Sequence, residues 1–239
     1  MADDLTNFFP PQPATATRPL LGLTVLVVED SRFASEAMRL LCLRSGARIR
    51  RADCLRSAHR HLQTYRPGAV IIDMGLPDGS GADLVAEVRA MAFPAPVIIG
   101  ISSDPGGEAL AMAAGADAFL AKPLESIAVF QNTILSALPL GTRQPGLQAV
   151  DDDRITPDPL ALRDDLSHIA GVIDDAPSHA ALDYIAQFIS GVARSAGDQP
   201  LEDAATALAR VRLSGTETAP NLRHLSGLVK SRLAAGARF

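Results

Sequence analysis

From Leu20 to Leu138 the chain alternates short, unbroken apolar runs with longer stretches of helical periodicity. Residues 23–28, 69–72 and 97–101 are apolar at successive positions, the pattern of strands buried on both faces of a parallel sheet. Two weaker strands fit at 48–52 and 117–120. Between them lie amphipathic segments of helix length. Ser31 is placed to cap a helix running to Arg44 and ended by Ser45-Gly46, and Asp53 to cap one running to Tyr65 and closed by Pro67-Gly68. Further helices are predicted at 82–91, 107–114 and 124–138. Five strand–helix units in succession define an open, doubly wound α/β sheet, in which ligands bind at the carboxyl ends of the strands.

The remainder has a different texture. Residues 1–19 carry Pro10, Pro11, Pro13 and Pro19 and are expected to be a flexible arm preceding a domain at 20–138. Pro139 stops the last helix of that domain, and 139–157, with Gly141, Pro145, Gly146 and the run Asp151-Asp152-Asp153, is expected to be a linker. From 158 to 239 the periodicity is helical only, with helices predicted at 159–174, 178–195, 200–212 and 221–235. Leu166–Ile173 and Leu222–Val229 share Leu, His and Gly in register; over eight residues of an Ala- and Leu-rich chain this is read as chance similarity rather than duplication.

Composition narrows the class. The 239 residues are 47% hydrophobic and 21% charged, as in ordinary globular proteins. Cys42 and Cys54 make no disulfide framework and lack metal-ligand spacing, so both are read as reduced thiols of a cytoplasmic protein. No apolar run reaches the ~18 residues of a membrane span, and Asp3 and Asp4 stand where a signal peptide carries cations. The formal charge of −5 argues against a dedicated nucleic-acid binder. Of the 22 basic residues only Lys122 and Lys230 are lysines, which singles out both positions, since the two cations differ in shape and hydration.

The chemistry lies at the strand ends. Glu29 and Asp30 follow the first strand and Asp73 the third, so three carboxylates meet at one sheet edge. They would repel one another unless a cation sat among them, and hard oxygen donors suit Mg²⁺. Ser102 ends the fourth strand and Lys122 follows the fifth, adding a hydroxyl and an ammonium. A carboxylate nucleophile, a divalent cation, a lysine and a hydroxyl form the equipment for phosphoryl transfer to an aspartate.

The segments Val25-Leu-Val-Val-Glu-Asp-Ser31, Val70-Ile-Ile-Asp-Met-Gly-Leu-Pro-Asp-Gly-Ser-Gly81, Ile98-Ile-Gly-Ile-Ser102, Ala113-Ala-Gly-Ala-Asp117 and Ala121-Lys-Pro123 together resemble the receiver domain of two-component response regulators. The resemblance implies a flavodoxin-like, five-stranded parallel sheet in the order 2-1-3-4-5. It implies that Asp73 accepts a phosphoryl group from a partner histidine kinase, a phosphotransfer protein or a small phosphodonor, and that the chain is a phosphoacceptor rather than an enzyme acting on a separate substrate. Asp30, Asp73 and the carbonyl of Gly75 would ligate Mg²⁺, with Glu29 acting through water. Lys122 and Ser102 would contact the phosphoryl oxygens, and Phe119 would turn inward as Ser102 moves. Ser102 stands where Thr is commoner, with Ser103 beside it, and Pro105 shortens the approach to the fourth helix.

No familiar output module follows. Residues 151–239 hold thirteen acids and nine basic residues, and Arg210, Arg212, Arg223, Lys230, Arg232 and Arg238 crowd the end against Glu217 alone. The region is read as an all-α bundle for homodimerisation or for binding an output partner, packed on the first domain or on a second subunit. Two alternatives stand beside this. His168 or His224, both off the apolar stripes of their helices, could carry phosphate in a phosphorelay, or the bundle could be an atypical DNA-binding domain.

Overall fold

The computed structural model describes residues 14–91, 96–139, 153–175 and 177–235. Its first half runs β1 (Thr24–Val28), α1 (Arg32–Ser45), β2 (Arg48–Ala52), α2 (Leu55–Thr64), β3 (Ala69–Asp73), the two-residue strands β4 (Gly75–Leu76) and β5 (Gly79–Ser80), α3 (Gly81–Ala90), β6 (Val97–Ser102), α4 (Gly107–Ala114), β7 (Ala118–Ala121) and α5 (Ile127–Ala137). The main sheet is parallel throughout, in the order β2-β1-β3-β6-β7. This is the expected order once the small β4–β5 hairpin, which sequence periodicity does not reveal, is counted.

Apolar runs and buried strands coincide because the sheet is covered on both faces. One layer, with Val25, Val27, Ile71, Ile99 and Ile101, packs under α1 and α5; the other, with Leu26, Val28, Val70, Ile72 and Ile98, packs under α2 and α3. Ser31 caps α1 by accepting from Ala34 N at 3.0 Å, and Gly46 closes that helix in the left-handed region at φ 83°. The expected cap of α2 is different. Cys54, not Asp53, occupies the N-cap without a side-chain bond, and the carboxylate that serves Leu55 N and Arg56 N, at 2.8 and 3.1 Å, belongs to Asp78. A tertiary contact from the β4–β5 turn has replaced a local one.

Helices α6 (Pro159–Asp174), α7 (His179–Ala196), α8 (Gln199–Ser214) and α9 (Ala219–Ala234) form a bundle with its own core. Leu166, Ile169 and Ile173 of α6 and Leu225 and Val229 of α9 point into it, so the similar segments carry the same buried stripe on two helices that pack together. The crowd of C-terminal cations is dispersed by pairing across helices: Arg212 with Asp183, Lys230 with Asp174, and Arg232 with Asp198. Three of the six C-terminal cations are thereby tied to carboxylates of other helices.

Most of the expected arm and linker lie outside the described residues. Of the linker, Asp153 to Ile155 is attached to the first domain: Asp153 O accepts from Ile127 N, Ile155 N donates to Glu125 O at 2.9 Å, and Ile155 is buried in the sheet core.

Asp198 ties the bundle together. It caps α8 by accepting from Leu201 N at 3.2 Å and receives Arg232 Nε at 2.7 Å. Its hydrogen bond from Arg232 holds the carboxyl below its ordinary range. The stability this confers is complete above the unfolded-state pKa of about 3.9 and is lost as pH falls through the lower folded value. Asp198→Ala is expected to cost about 1–2 kcal/mol at neutral pH in urea unfolding, with the difference from the parent shrinking below about pH 4.

Candidate functional site

Because β1 and β3 are neighbours, their carboxyl ends deliver Glu29, Asp30 and Asp73 to one place. One carboxylate oxygen from each lies within 4.8 Å of the others. Asp73 ends β3 and is 7% exposed, and Glu29 is 3% exposed. Lys122 comes across from the end of β7, its N–H anchored on Ser102 O at 2.9 Å, and its ammonium stands 2.6 Å from Glu29 Oε2 and 3.0 Å from Asp73 Oδ2. The peptide joining it to Pro123 is cis.

Three acids and one ammonium leave two negative charges in a space largely closed to water. Burial pushes the Glu29 carboxyl well above its ordinary range, and Asp73 and Asp30 push it further against the pull of Lys122. Asp30 is pushed up to about 7, again by burial first and by Asp73 second, with Lys122 and the Tyr184 hydroxyl opposing. Burial disfavours charge on Lys122, but Asp73 and Glu29 outweigh it and hold the ammonium above its ordinary range.

The residues fit a divalent cation. Glu29 Oε1 accepts from Ser31 N at 3.1 Å, whereas Oε2, paired by charge with Lys122, lacks a well-aligned hydrogen bond although it is buried. An acceptor left in this condition beside two further carboxylates, with excess negative charge, matches the hard oxygen donors that Mg²⁺ takes.

Ser102 is buried at the end of β6, and its Oγ accepts from Asp104 N at 3.0 Å. Phe119 is half-buried beside it. A Cβ on Gly107 would come within 2.5 Å of Ser102 Cβ and 3.4 Å of Phe119 Cζ, so the missing side chain at the start of α4 lets serine and ring share the space. Glu29, Asp30, Asp73, Gly75, Ser102 and Lys122 all line one small cavity. The two histidines do not: both are exposed, with His168 on α6 edge-on to Phe188 and His224 on α9.

Sequence reasoning missed what covers this edge. Tyr184 of α7 donates its hydroxyl to Asp30 Oδ2 at 2.9 Å, and Asp165 of α6, itself buried, accepts from Ser31 Oγ, Arg32 N and Phe33 N at 2.7, 2.8 and 3.0 Å. Phe33, on α1, is buried in the core of the bundle. The legible signal was Phe33, a bulky apolar residue two positions after the predicted N-cap Ser31, on a helix that begins beside the acids.

Residues 25–133 match the family model of the response regulator receiver domain. Sheet order, strand-end acids and lysine agree with this match, and residues 25–133 are a receiver domain of the kind found in two-component response regulators. Over 99 residues it is 30% identical to the KDP operon transcriptional regulatory protein KdpE of Escherichia coli (strain K12), covering 41% of this chain and 44% of that protein. Over 102 residues it is 28% identical to the virulence transcriptional regulatory protein PhoP of Salmonella typhimurium (strain 14028s), covering 42% and 46%. A putative response regulator from Chloroflexus aurantiacus, solved as a crystal structure, is 30% identical, with 43% of this chain and 87% of that one covered and a TM-score of 0.41. The chain thus spans less than half the length of the curated relatives it matches.

The raised pKa of Asp30 means that its ionised form strains the metal-free fold. That cost is absent below the unfolded pKa of about 3.9 and complete above about 7. Asp30→Asn is therefore expected to stabilise the metal-free protein at pH 8 by on the order of 2 kcal/mol, and to do so less at pH 5. Thermal unfolding with and without Mg²⁺ tests this: the variant should also lose most of the stabilisation that Mg²⁺ gives the parent.

Proposed function

We propose that this chain is a response regulator in which Asp73 accepts a phosphoryl group, and that the modification switches the interactions of its C-terminal helices. The observation that carries the reading is Lys122, whose ammonium bridges Glu29 and Asp73 inside a buried pocket of three carboxylates. A carboxylate oxygen of Asp73 attacks the phosphorus of a phosphohistidine on a sensor kinase or phosphotransfer protein. A P–O bond forms, the P–N bond breaks, and the imidazole leaves with the electron pair. Lys122 neutralises charge on the transferred group as a compact point charge, and Ser102 Oγ, already on the cavity wall, supplies a hydrogen-bond donor.

Asp30, Asp73, the carbonyl of Gly75 and, through water, Glu29 are the residues that would hold Mg²⁺. Bound there, the cation would offset the charge that builds on the phosphoryl oxygens. The chain acts here as a phosphoacceptor that assists its own modification, not as an enzyme turning over a separate substrate.

Phosphorylation would draw Ser102 toward the phosphoryl oxygens and release space for Phe119, altering the face made by α4, β7 and α5. That face carries exposed Leu110, Met112 and Val129, and among the described residues the bundle packs chiefly on α1 and β4, which leaves these side chains to a partner or a second copy. The transcriptional roles of KdpE and PhoP belong to proteins matched over their receiver-like part only. A phosphorelay through His168 or His224 is not favoured, because the bundle residues nearest the Asp73 cavity are Gln187, Phe188, Gly191, Val192 and Ser195.

Incubation with radiolabelled acetyl phosphate and Mg²⁺ is expected to give an acid-stable, base-labile label that Asp73→Asn abolishes. Lys122→Ala should slow its appearance by about 10²-fold or more, the scale of losing one charge-stabilising contact. Persistence of the label in Asp73→Asn would overturn the assignment.

A further inference from the structure

The bundle does more than adjoin the receiver: it roofs the phosphoacceptor. Among the described cavities Asp73 lines one, of about 20 Å³, whose far wall is α7 through Gln187, Phe188, Gly191, Val192 and Ser195. That volume holds about one water and cannot admit a phosphoryl group with its donor. A second, open groove of about 930 Å³ reaches Glu29 and Asp30 between the receiver and α6, but Asp73 does not line it. Approach to the nucleophile is thus closed by one helix.

The roof is fastened around its rim. Tyr184 holds Asp30, and Arg194 donates from Nη1 to Ser103 O. A Cβ on Gly75 would fall 1.9 Å from Gln187 Nε2, so the α7 amide occupies the space over the site that Gly75 leaves empty. Asp165 and Phe33 complete the attachment one helix away. A phosphoryl group on Asp73 and α7 in this position would claim the same volume.

We propose that α7 is an autoinhibitory cap: Asp73 is phosphorylated only from a minor, undocked state of the C-terminal bundle, and phosphorylation traps that state. The inference rests on the phosphoacceptor reading above and adds its regulation. By linkage, a modification that fits only the undocked form shifts the population toward it by its full differential affinity.

A reversible staple tests it. The Cβ that Gly191 lacks would lie 4.0 Å from Ser103 Cβ, inside the window of about 3.5–4.5 Å for a disulfide. Full-length Ser103→Cys/Gly191→Cys, with Cys54→Ser to remove the half-buried native thiol, is labelled with acetyl phosphate and Mg²⁺ before and after reduction. Acetyl phosphate is small enough that slowing reports closure of the site rather than loss of a kinase docking face. The oxidised protein is expected to acquire label at least about tenfold more slowly than the same protein reduced, and label placed first on the reduced protein should slow staple formation by a similar factor. Equal labelling rates in the two redox states would overturn the cap and leave the phosphoacceptor reading standing. Failure of the pair to cross-link under oxidant would overturn the docked arrangement. Absence of Asp73 label in both the parent and the reduced protein would overturn the reading beneath it.

Discussion

Three carboxylates forced together away from water are the constraint around which this protein is arranged. Parallel pairing of β1 with β3 brings Glu29 and Asp30 to Asp73, and the local chain offers backbone N–H groups but no cation to offset the repulsion. The compensating ammonium has to arrive from β7, two strands from β3 in the sheet. At about 4.8 Å per strand this is a distance for a long, narrow side chain. Lysine suits the task because its charge is compact at the end of a slender stem, whereas a planar guanidinium would need a wider opening between Glu29 and Asp73. In a chain whose other cations are almost all arginine, the exception falls at the tightest electrostatic position.

Attachment of the bundle follows from the same edge. The first turn of α1 begins beside the acids, and its free N–H groups are an electropositive end that wants an anion. Asp165 supplies it from another part of the chain, and in return the burial that pushes its carboxyl upward is opposed by Phe33 N, Arg32 N and the Ser31 hydroxyl. Phe33, the next side chain, is spent in the bundle core rather than the receiver core. One turn of helix thereby joins the edge that carries the acid pocket to the packing of the four C-terminal helices.

What the sequence made legible was whatever depends on period and spacing. Both-face burial of the strands appears as unbroken apolar runs, and parallel connections place Glu29, Asp30, Asp73, Ser102 and Lys122 at one edge by topology alone. The bundle's stripes, such as Leu162, Leu166, Ile169 and Ile173, were equally plain. The failures share a cause. Asp78 capping α2, Asp165 capping α1, the cross-helix pairs of Arg212 and Arg232, and the Tyr184 bond to Asp30 all join residues separated by many positions, and no local pattern encodes a polar pair of that kind. Lys230, which composition alone marked out, proves to be an exposed tether to Asp174.

Tyr184 gives the docked arrangement its particular balance. With Lys122 alone among three acids, Asp30 is the carboxylate with least compensation, and the tyrosine hydroxyl provides it with a hydrogen bond but no charge. A neutral donor offsets only part of the repulsion that a divalent cation would remove, since hydrogen bonds are worth far less than ion contacts in a poorly solvated site. The bundle therefore holds the receiver in a closed form that is well packed at Phe33 and Asp165 but electrostatically tense at Asp30. A divalent cation held by Glu29, Asp30 and Asp73 would supply the charge that the Tyr184 hydroxyl cannot. Packing at Phe33 and Asp165 and the Tyr184 hydrogen bond hold this form together, while the burial of Asp30 beside Asp73 opposes it, so the acid pocket is the place where the docked arrangement is weakest.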